Sequence, residues 1–288
     1  MTGEFDYNLA FSRNIGWITE AEQNLLRGKK VAIAGLGGVG GSHLLTLTRL
    51  GIGKFNISDL DIFEQANFNR QAGSSISHLD QPKVDVLKSM ALDINPELVI
   101  ETFPLGVNQE NIEQFLDGVD LYVDGLDFFA LKARRTVFAA CAKKGIPAVT
   151  AAPLGMGVSL LCFMPGKMTF EEYFQWQGQS EVEQLLRFFI GLSPTGLQMS
   201  YLADKSRLDI ANHRGPSTPM ACDFCAGMVG TCALKILLGR GDVIAAPRGL
   251  HFDAYLNKFL TTWRPWGNRN PLQQLSLMIL RKNNAEIA

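Results

Sequence analysis

The stretch Val31-Ala32-Ile33-Ala34-Gly35-Leu36-Gly37-Gly38-Val39-Gly40-Gly41 joins an apolar run to a glycine-rich turn, and a helix-like segment, 42–50, follows it. Its glycines fit the pattern G-x-G-x-x-G, with fixed positions at Gly35, Gly37 and Gly40. A strand–turn–helix unit of this kind binds nucleotides, because glycines let the backbone approach phosphate and the helix N-terminus offers free N–H groups to an anion. Since NAD, FAD and ATP binders share the pattern, the residues around the turn must decide between them.

The composition is that of a soluble globular protein. The chain has 288 residues, of which 47% are hydrophobic and 19% charged, and its formal net charge is −1. Residues 1–23 lack the apolar core of a signal peptide, and apolar runs such as 158–164 are far shorter than a membrane span. Five cysteines do not make a disulfide framework in a chain of this size. We therefore expect a reduced, cytoplasmic protein that binds neither membranes nor nucleic acid.

Strands and helices alternate through the first half of the chain, which predicts an α/β fold. The predicted strands are 31–34, 54–59, 98–102, 118–124 and 145–150, and the predicted helices between them are 42–50, 82–91, 108–115 and 130–144. A capping box of Thr19 and Glu22 marks one more helix before the first strand. This order predicts a Rossmann-like, mainly parallel sheet with helices on both faces.

The pattern changes after residue 150. A strand is predicted at 158–164, helices at 180–191, 226–238 and 271–282, and a late strand at 250–255, so a few further strands, antiparallel ones among the possibilities, continue the sheet. The stretch 193–219 is rich in Pro, Gly, Asn and Asp, which indicates a substrate-covering loop or a mobile crossover. We expect a single domain over 1–288, made of an N-terminal arm and helix (1–29), a nucleotide-binding half (30–165), a substrate-covering crossover (166–220) and a C-terminal helix, strand and tail (221–288).

Polar side chains follow the second predicted strand, at the edge where ligands bind in an open α/β sheet. Asp59 and Asp61 lie about twenty residues beyond the glycines, where an acidic residue bonds ribose hydroxyls. Lys83 lies in the first turn of a helix, where a cation is unfavourable unless an anion is near; the alternative is an ordinary solvated lysine. The loop between them contributes the candidate ligands Asn67, Asn69, Arg70 and Gln71.

Asp127 follows the fourth predicted strand and should lie at the same edge of the sheet as the glycine turn. A carboxylate near a phosphate site suits Mg²⁺, because Mg²⁺ takes one or two carboxylates together with phosphate oxygens. The alternative is an N-cap for the helix that starts near Ala130.

In order and spacing, these residues resemble the ThiF/MoeB/HesA family of adenylating enzymes, relatives of the ubiquitin-activating enzymes. The resemblance rests on G-x-G-G-x-G at 35–40, D-x-D at 59–61, N-x-x-R-Q at 67–71, P-K at 82–83 and the aspartate of a D-N pair at 127. It covers roughly residues 13–158, and the helix at 227–238 also resembles the family's C-terminal helix of small residues. The resemblance implies a UBA/ThiF-type nucleotide-binding fold and an adenylyltransferase that uses ATP and Mg²⁺.

The resemblance also implies individual roles. Asp61 would bond the ribose, and Asp127 would hold Mg²⁺. The ATP phosphates would be contacted by Asn69, Arg70 and Lys83. Arg13 matches an N-terminal arginine that in homodimeric relatives reaches the partner subunit's site, which implies a homodimer with Arg13 acting in trans. The catalytic set is thus Arg13, Arg70, Lys83 and Asp127, and the remaining nucleotide ligands are Gly35, Gly37, Gly38, Gly40, Asp59, Asn67, Asn69 and Gln71.

The expected chemistry needs these charges. Adenylation moves a carboxylate oxygen onto the α-phosphorus and expels pyrophosphate, so guanidinium, ammonium and metal at the phosphate oxygens stabilise the charge that builds there. The acceptor is expected to be the C-terminal carboxylate of a ubiquitin-like sulfur carrier or of a peptide. A small carboxylate on a modified nucleoside is the alternative, as in the family's tRNA-modifying dehydratases, although the near-neutral charge does not favour tRNA.

Three departures from the family pattern bear on the mechanism. Phe128 stands where the family has the asparagine of its D-N pair, so one polar nucleotide contact should be lost. Only one C-x-x-C pair is present, Cys222 and Cys225, so zinc is not expected; these two are a redox pair or, more simply, buried small residues. The crossover 167–220 has no cysteine, and Cys162 lies in a predicted strand, so we expect adenylation without a thioester stage on this chain.

Two other classes of function compete with this one. A nicotinamide-dependent oxidoreductase explains the glycines and Asp61 but leaves Arg70, Lys83 and Asp127 without a role. A non-catalytic binding protein that retains the fold is supported by Phe128 and by the missing cysteines.

Overall fold

The structure is a computed structural model that describes residues 4–208 and 215–285, with side chains to residue 282. The helices are α1 (Tyr7–Ala10), α2 (Glu20–Gly28), α3 (Gly40–Arg49), α4 (Lys83–Ile94), α5 (Ile112–Phe115), α6 (Leu131–Lys144), α7 (Phe170–Phe174), α8 (Glu181–Leu192), α9 (Pro219–Leu238) and α10 (Pro271–Ala285). The strands are β1 (Lys30–Ala34), β2 (Lys54–Ser58), β3 (Val99–Phe103), β4 (Leu121–Asp124), β5 (Ala148–Leu154), β6 (Gly157–Phe163), β7 (Arg248–Asp253) and β8 (Lys258–Trp263). Short 3-10 helices include Ser12–Asn14, Gln65–Asn67 and Leu197–Ser200.

All eight strands form one sheet in the order β3-β2-β1-β4-β5-β6-β7-β8. The first five strands of this order are parallel, and β6, β7 and β8 continue the sheet antiparallel. This confirms the predicted Rossmann-like sheet and its further strands. In the register, Ala34 of β1 lies beside both Ser58 of β2 and Asp124 of β4. The carboxyl ends of these three strands are therefore level, and the segments that follow them meet at one edge.

Helices cover both faces of the sheet, as predicted. One core contains side chains of α2, α3, α4 and α9, with Val31, Ile33 and Val123 from the strands. The other contains side chains of α5, α6, α7 and α8, with Ala32 and Tyr122 from the strands. Successive strand residues point to opposite faces, and residues 31–34 of β1 and 121–123 of β4 are all apolar and buried, so both faces of these strands are covered.

Local signals explain where several helices begin. The capping box at the start of α2 is confirmed, since the Thr19 side chain accepts from the Glu22 N–H and Glu22 accepts from the Thr19 N–H. Along α4, the predicted apolar positions Val84, Leu87 and Ala91 are all buried. The predicted helix at 108–115 starts late, at Ile112, because the Asn108 side chain accepts from the Glu110 and Asn111 N–H groups and holds a turn there instead.

The C-terminal part differs more from the prediction. Strand β8 was not expected: only Thr262 of its six residues is buried, so the strand has no apolar alternation to recognise. Helix α9 starts at Pro219, several residues before the predicted 226, with proline in the first turn. Of the loop predicted at 193–219, residues 209–214 lie outside the described residues, and the described part carries two short 3-10 helices.

Helix α9 is long and apolar enough to span a membrane by length and composition, with a mean hydropathy of 1.6. It is not an uninterrupted apolar run, because Asp223 and Lys235 lie within it. Half of its most apolar window is buried, and the helix packs against α3, β5 and β6. We interpret α9 as a core helix, whose apolar surface is explained by contacts on more than one side.

His43 of α3 is a titratable group in the core. Its side chain is fully buried, and neither ring nitrogen has a hydrogen-bond partner within the described residues. Burial lowers the pKa of His43 to about 3, because the imidazolium form would lose its hydration. The folded protein therefore keeps this histidine neutral over a range in which the unfolded chain takes up a proton.

This difference should make the protein less stable as the pH falls from about 6.5 towards 3, since the unfolded state binds one more proton. Replacing His43 by leucine should reduce the slope of unfolding free energy against pH by up to about 1.4 kcal/mol per pH unit in that window. Urea unfolding at pH 7, 6 and 5 measures the slope. Leu47→Ala, at another buried position of α3, is the matched control: it should lower stability at every pH and keep the wild-type slope. An unchanged slope in His43→Leu would contradict the interpretation.

Candidate active site

The glycine turn is held by backbone-to-backbone contact. A Cβ on Gly40 would collide with the carbonyl oxygen of Gly35, and a Cβ on Gly125 would lie 2.8 Å from the Gly40 Cα. Gly35 also has a φ of +82°, which a side chain rarely permits. The end of β1, the start of α3 and the residue after β4 therefore touch through main-chain atoms, so no side chain fits between them.

The same turn presents unused donors. Within the described ranges 4–208 and 215–285, no acceptor atom is hydrogen-bonded to the backbone N–H groups of Gly37, Gly38 or Val39. These groups lie immediately before the first turn of α3, a helix of ten residues. Free N–H groups together with the positive end of a helix dipole form an anion-binding site. The turn therefore fits a phosphate group.

Asp59 holds the glycine turn through hydrogen bonds to its side chain. Its carboxylate accepts from the Leu36 N–H at 2.6 Å and from the Asp61 N–H at 2.8 Å. Burial raises the pKa of Asp59, while these two hydrogen bonds and nearby Lys83 act in the opposite direction. The predicted nucleotide ligand Asp59 thus has a role within the fold, and Asp61, which is exposed, remains the carboxylate available to a ribose.

Lys83 and Asp61 are brought together. The Lys83 side chain is only 7% exposed, and its Nζ lies 3.1 Å from Oδ2 of Asp61. The Lys83 N–H also donates to the Asp61 carbonyl oxygen. The anion predicted near this lysine is therefore a carboxylate of the protein, and the alternative of an ordinary solvated lysine is wrong.

The N-x-x-R-Q loop lies against the turn. The Arg70 stem passes 3.6 Å from the position that a Cβ on Gly38 would occupy, and Gln71 Nε2 lies 3.8 Å from the corresponding position on Gly37. Gln71 is 8% exposed, and its Oε1 has no partner within the described residues. Asn69 accepts from Arg70 and donates to the Ser217 carbonyl oxygen, whereas the Asn67 side chain caps the local turn by accepting from the Glu64 N–H.

Cys222 is a site residue that sequence reasoning did not place here. Its Sγ would lie 3.1 Å from a Cβ on Gly38, so the thiol packs beside the glycine turn and near Arg70. Burial raises the pKa of Cys222, opposed by a hydrogen bond from Ser217 and by the Arg70 charge. Cys225 is also buried. The signal that could have located Cys222 is the helix start at Pro219, which brings the first turn of α9 to the carboxyl edge of the sheet.

The described residues contain no group of three or more histidine, cysteine or acidic side chains that could hold a metal. A Mg²⁺ ion that shares phosphate oxygens needs only one or two carboxylates. Asp127 is exposed, and one of its oxygens accepts from the Phe129 N–H at 3.0 Å. It lies two residues beyond Gly125, which contacts the turn. A single exposed carboxylate in the loop that contacts the phosphate-binding turn suits a Mg²⁺ ion whose other ligands are phosphate oxygens and water. It does not suit a metal site made entirely of protein ligands.

Asp127 is not the N-cap of α6. That helix starts at Leu131 after Ala130, and no side chain caps it. Its loop is instead tied down by Arg134, which donates to the carbonyl oxygens of Leu126 at 2.6 Å and Phe128 at 3.3 Å. Phe128 packs against Phe188 of α8, with ring centroids 5.2 Å apart.

Arg13 lies apart from the other candidates. It is exposed on the 3-10 helix Ser12–Asn14. The neighbouring Asn14 donates to the carbonyl oxygen of Arg49, at the C-terminal end of α3. A helix of ten residues is about 15 Å long, so the arm lies about that far from the glycine turn of its own chain. The structure therefore places Arg70 and Gln71 against the turn, links Asn69 to Arg70, and links Lys83 and Asp61 to the turn through Asp59. Asp127 follows Gly125, which contacts the turn, whereas Arg13 lies outside this group.

The fold and the turn define a class: α/β proteins with a Rossmann-like sheet and a glycine-rich anion site at the carboxyl ends of its strands. The model of the ThiF family matches residues 11–275. The chain belongs to the ThiF family.

Curated relatives carry names of two kinds. The tRNA threonylcarbamoyladenosine dehydratase of Bacillus subtilis is 35% identical over 141 residues, which is 49% of this chain and 55% of that protein. The molybdopterin-synthase adenylyltransferase of Haemophilus influenzae is 27% identical over 152 residues, 52% of this chain and 62% of that protein. The sulfur carrier protein ThiS adenylyltransferase of Escherichia coli is 28% identical over 146 residues, 51% of this chain and 57% of that protein. The chain thus spans little more than half the length of these relatives.

Solved structures share the fold over most of the chain. Escherichia coli MccB superposes with a TM-score of 0.67 at 18% identity, covering 90% of this chain and 70% of MccB. PaaA gives a TM-score of 0.65 at 19% identity, covering 89% and 70%. Escherichia coli TcdA, a tRNA N6-threonylcarbamoyladenosine dehydratase, gives 0.59 at 18% identity, covering 81% of this chain and 95% of TcdA. At these identities the likeness shows a common fold.

The backbone contacts at the turn predict that an alanine lowers stability much more at Gly40 than at Gly37. Gly40→Ala should destabilise the protein by about 1–3 kcal/mol or more, because its Cβ meets backbone that cannot rotate away. Gly37→Ala is the matched control: its Cβ would lie 3.8 Å from a flexible side chain, so stability should change by about 0.5 kcal/mol at most. Chemical unfolding of both variants measures this, and equal stabilities would refute the packing described.

Proposed function

We propose that this chain is an ATP- and Mg²⁺-dependent adenylyltransferase that activates a carboxylate as an acyl-adenylate and releases pyrophosphate. The observation that carries the proposal is the arrangement at the carboxyl edge: free N–H groups of the turn, the Arg70 and Gln71 side chains beside it, and the free carboxylate of Asp127. Family membership and the relatives named adenylyltransferases support it. The relatives named above carry adenylyltransferase and dehydratase names, and a nicotinamide oxidoreductase would leave Arg70, Lys83 and Asp127 without a role.

Each residue then has a task. The N–H groups of the turn bind phosphate, and Asp61 accepts hydrogen bonds from the ribose. Arg70 stabilises charge on the phosphate oxygens, for which a guanidinium is suited because it can donate two parallel hydrogen bonds. Asp127 would hold Mg²⁺, which supplies positive charge to the phosphates when bound. No nucleophile from the protein is needed, because the carboxylate of the substrate attacks.

Lys83 exchanges its partner in this proposal. Its ammonium is buried and depends on the exposed Asp61 carboxylate for compensation. A phosphate that arrives beside Lys83 can take over as the anionic partner, which leaves the Asp61 carboxylate free to accept from ribose hydroxyls. The Lys83 ammonium thereby has an anionic partner both before and after nucleotide binds.

The carboxylate that we propose is the C-terminus of a sulfur-carrier-like protein or of a peptide. The support is the relative named for its sulfur carrier protein substrate, ThiS. A second candidate is a dehydratase that acts on a modified nucleoside of tRNA, because the relative with 35% identity bears that name. Both begin with the activation of a carboxylate, so they differ in the acceptor and share the site.

We also propose that no thioester forms on this chain. All five cysteines are buried in the structure. Cys162 of β6 and Cys232 of α9 lie in the core with their sulfurs 3.2 Å apart. Cys222 is beside the glycine turn but is 1% exposed. A buried thiol whose pKa is raised is a poor nucleophile.

A homodimer with Arg13 in trans is the assembly that we propose. The arm that carries Arg13 exposes apolar side chains, with Leu9 73% and Trp17 86% exposed. Arg240, which follows α9, donates to the Trp17 carbonyl oxygen and forms an ion pair with Glu22, so the arm is fixed in place. A fixed arginine far from the turn of its own chain can serve a site only in another copy.

Replacing Arg70 by alanine should reduce carboxylate-dependent ATP–pyrophosphate exchange by about 100-fold or more, since one charge-stabilising donor is lost. The substrates are peptides with a free C-terminal carboxylate, compared with the same peptides as amides and with unmodified and threonylcarbamoyl-modified tRNA. Lys143→Ala, which removes an exposed positive charge at the end of α6, is the control and should keep wild-type exchange. Normal exchange in Arg70→Ala, or a thiol-sensitive covalent adduct with a substrate, would contradict the assignments.

Mixing inactive variants tests the action of Arg13 in trans. Arg13→Ala and Asp127→Ala should each abolish exchange alone, and an exchanged mixture should recover about a quarter of wild-type activity, because half of the dimers are mixed and each has one intact site. Subunit exchange is verified with two affinity tags. If Arg13→Ala alone keeps its activity, Arg13 has no role in the reaction. If it is inactive and the mixed dimers form but remain inactive, action in trans is refuted.

A further inference from the structure

Arg134 connects four parts of the molecule from a buried position. It lies in the first turn of α6 and is 2% exposed. Its Nε donates to Oδ2 of Asp124 at 2.8 Å, at the end of β4. The same Asp124 oxygen accepts from the Thr150 hydroxyl of β5 at 2.9 Å. The guanidinium is thus anchored on the sheet by an ion pair that is itself almost completely buried.

The other two nitrogens of the guanidinium are directed to the loop that carries Asp127. Nη2 donates to the Leu126 carbonyl oxygen and Nη1 to the Phe128 carbonyl oxygen. These carbonyl groups belong to the two residues on either side of Asp127. The carbonyl oxygen of Asp127 itself accepts from the Ala130 N–H. An exposed residue whose two neighbours are both bound to one rigid, buried fork, and whose own carbonyl group is bound as well, has little freedom in its backbone dihedral angles. The direction of the Asp127 side chain is set accordingly, together with its own hydrogen bond from the Phe129 N–H.

Helix α8 covers this arrangement. Phe188 is 1% exposed, and the centroid of its ring lies 4.5 Å from Cζ of Arg134, which is a cation–π contact. The same ring packs against Phe128. Phe188 therefore touches both the fork and one end of the loop that the fork holds.

We propose that Arg134 is a positioning residue for the Asp127 carboxylate, and that Phe188 of α8 holds Arg134 in that role. The proposal rests on Asp127 being a metal ligand, as in the proposed function. Arg134 itself touches neither nucleotide nor metal. It acts through the carbonyl groups of Leu126 and Phe128, so its loss should weaken metal binding more than it slows the reaction at saturating metal.

The test is Arg134→Lys, which keeps a positive charge beside Asp124 and loses the planar fork. Binding of Mn²⁺ is followed by electron paramagnetic resonance in the presence of a non-hydrolysable ATP analogue, with no acyl substrate. The dissociation constant for Mn²⁺ should rise about tenfold, at the lower end of what is typical for groups that orient a metal ligand. In pyrophosphate exchange, the Mg²⁺ concentration for half-maximal rate should rise by a similar factor, with a smaller change in the rate at saturating Mg²⁺.

Arg135→Lys is the matched control. Arg135 is the next residue of α6, and its side chain forms an ion pair at 3.1 Å with Glu171 of α7, away from the loop. Wild-type Mn²⁺ affinity is expected. Should Arg134→Lys fail to fold, Phe188→Leu carries the test, because it keeps apolar bulk and removes the ring. It should raise the Mn²⁺ dissociation constant and speed hydrogen exchange of the peptide 125–130.

Two outcomes separate this inference from the proposed function. If Asp127→Asn abolishes Mn²⁺ binding while Arg134→Lys and Phe188→Leu bind Mn²⁺ as the wild type does, the metal ligand is correct and the positioning role is overturned. If Asp127→Asn itself binds Mn²⁺ normally, the metal assignment in the proposed function fails, and the positioning role fails with it.

Discussion

The contact of three main-chain segments at Gly35, Gly40 and Gly125 is the constraint on which the site depends. A Cβ at any of the three would meet backbone atoms, which cannot move aside as a side chain can. Because the contact is so close, the start of α3, the end of β1 and the loop after β4 occupy fixed relative positions. Asp127 comes two residues after Gly125, so it belongs to the loop that contacts the turn and its free N–H groups. The anion site and the carboxylate are consequences of one packing arrangement.

Local patterns made much of this predictable. The central strands are short runs of mainly apolar residues, the glycine pattern after the first strand is typical of nucleotide binding, and a capping box needs only two residues at the right spacing. The parts that were missed depend on contacts that a sequence pattern does not record. The Asp59 carboxylate accepts from the Leu36 N–H, Cys222 reaches Gly38 from the start of α9, and Arg134 donates to carbonyl oxygens eight and six residues earlier. Strand β8 was missed for another reason, since an edge strand with one buried residue carries no period in its sequence.

Phe128, which departs from the family pattern, is explained by the residues that it contacts in the fold. As a sequence feature it is a missing polar contact, which favoured a non-catalytic protein. In the fold its ring packs against Phe188 of α8 and Phe129, and its carbonyl oxygen is held by Arg134. An asparagine there could not join this aromatic cluster. The substitution is therefore explained by attachment of the crossover helix to the loop of Asp127, and it does not count against a working site.

Helices α3 and α9 run side by side in the same direction. Their packing determines where the glycine turn lies relative to the N-terminal arm. Cys222 meets Gly38 where both helices begin, Gly230 faces Thr46 and Leu50 further along, and Arg240 reaches Trp17 beyond the end of α9. The anion site and the N-terminal arm are thus at opposite ends of one rigid pair of helices. No side-chain rotation can bring Arg13 across that distance. If Arg13 takes part in adenylation, the geometry requires a second chain whose arm lies over this turn, and in a two-fold symmetric pair both sites are then completed at once.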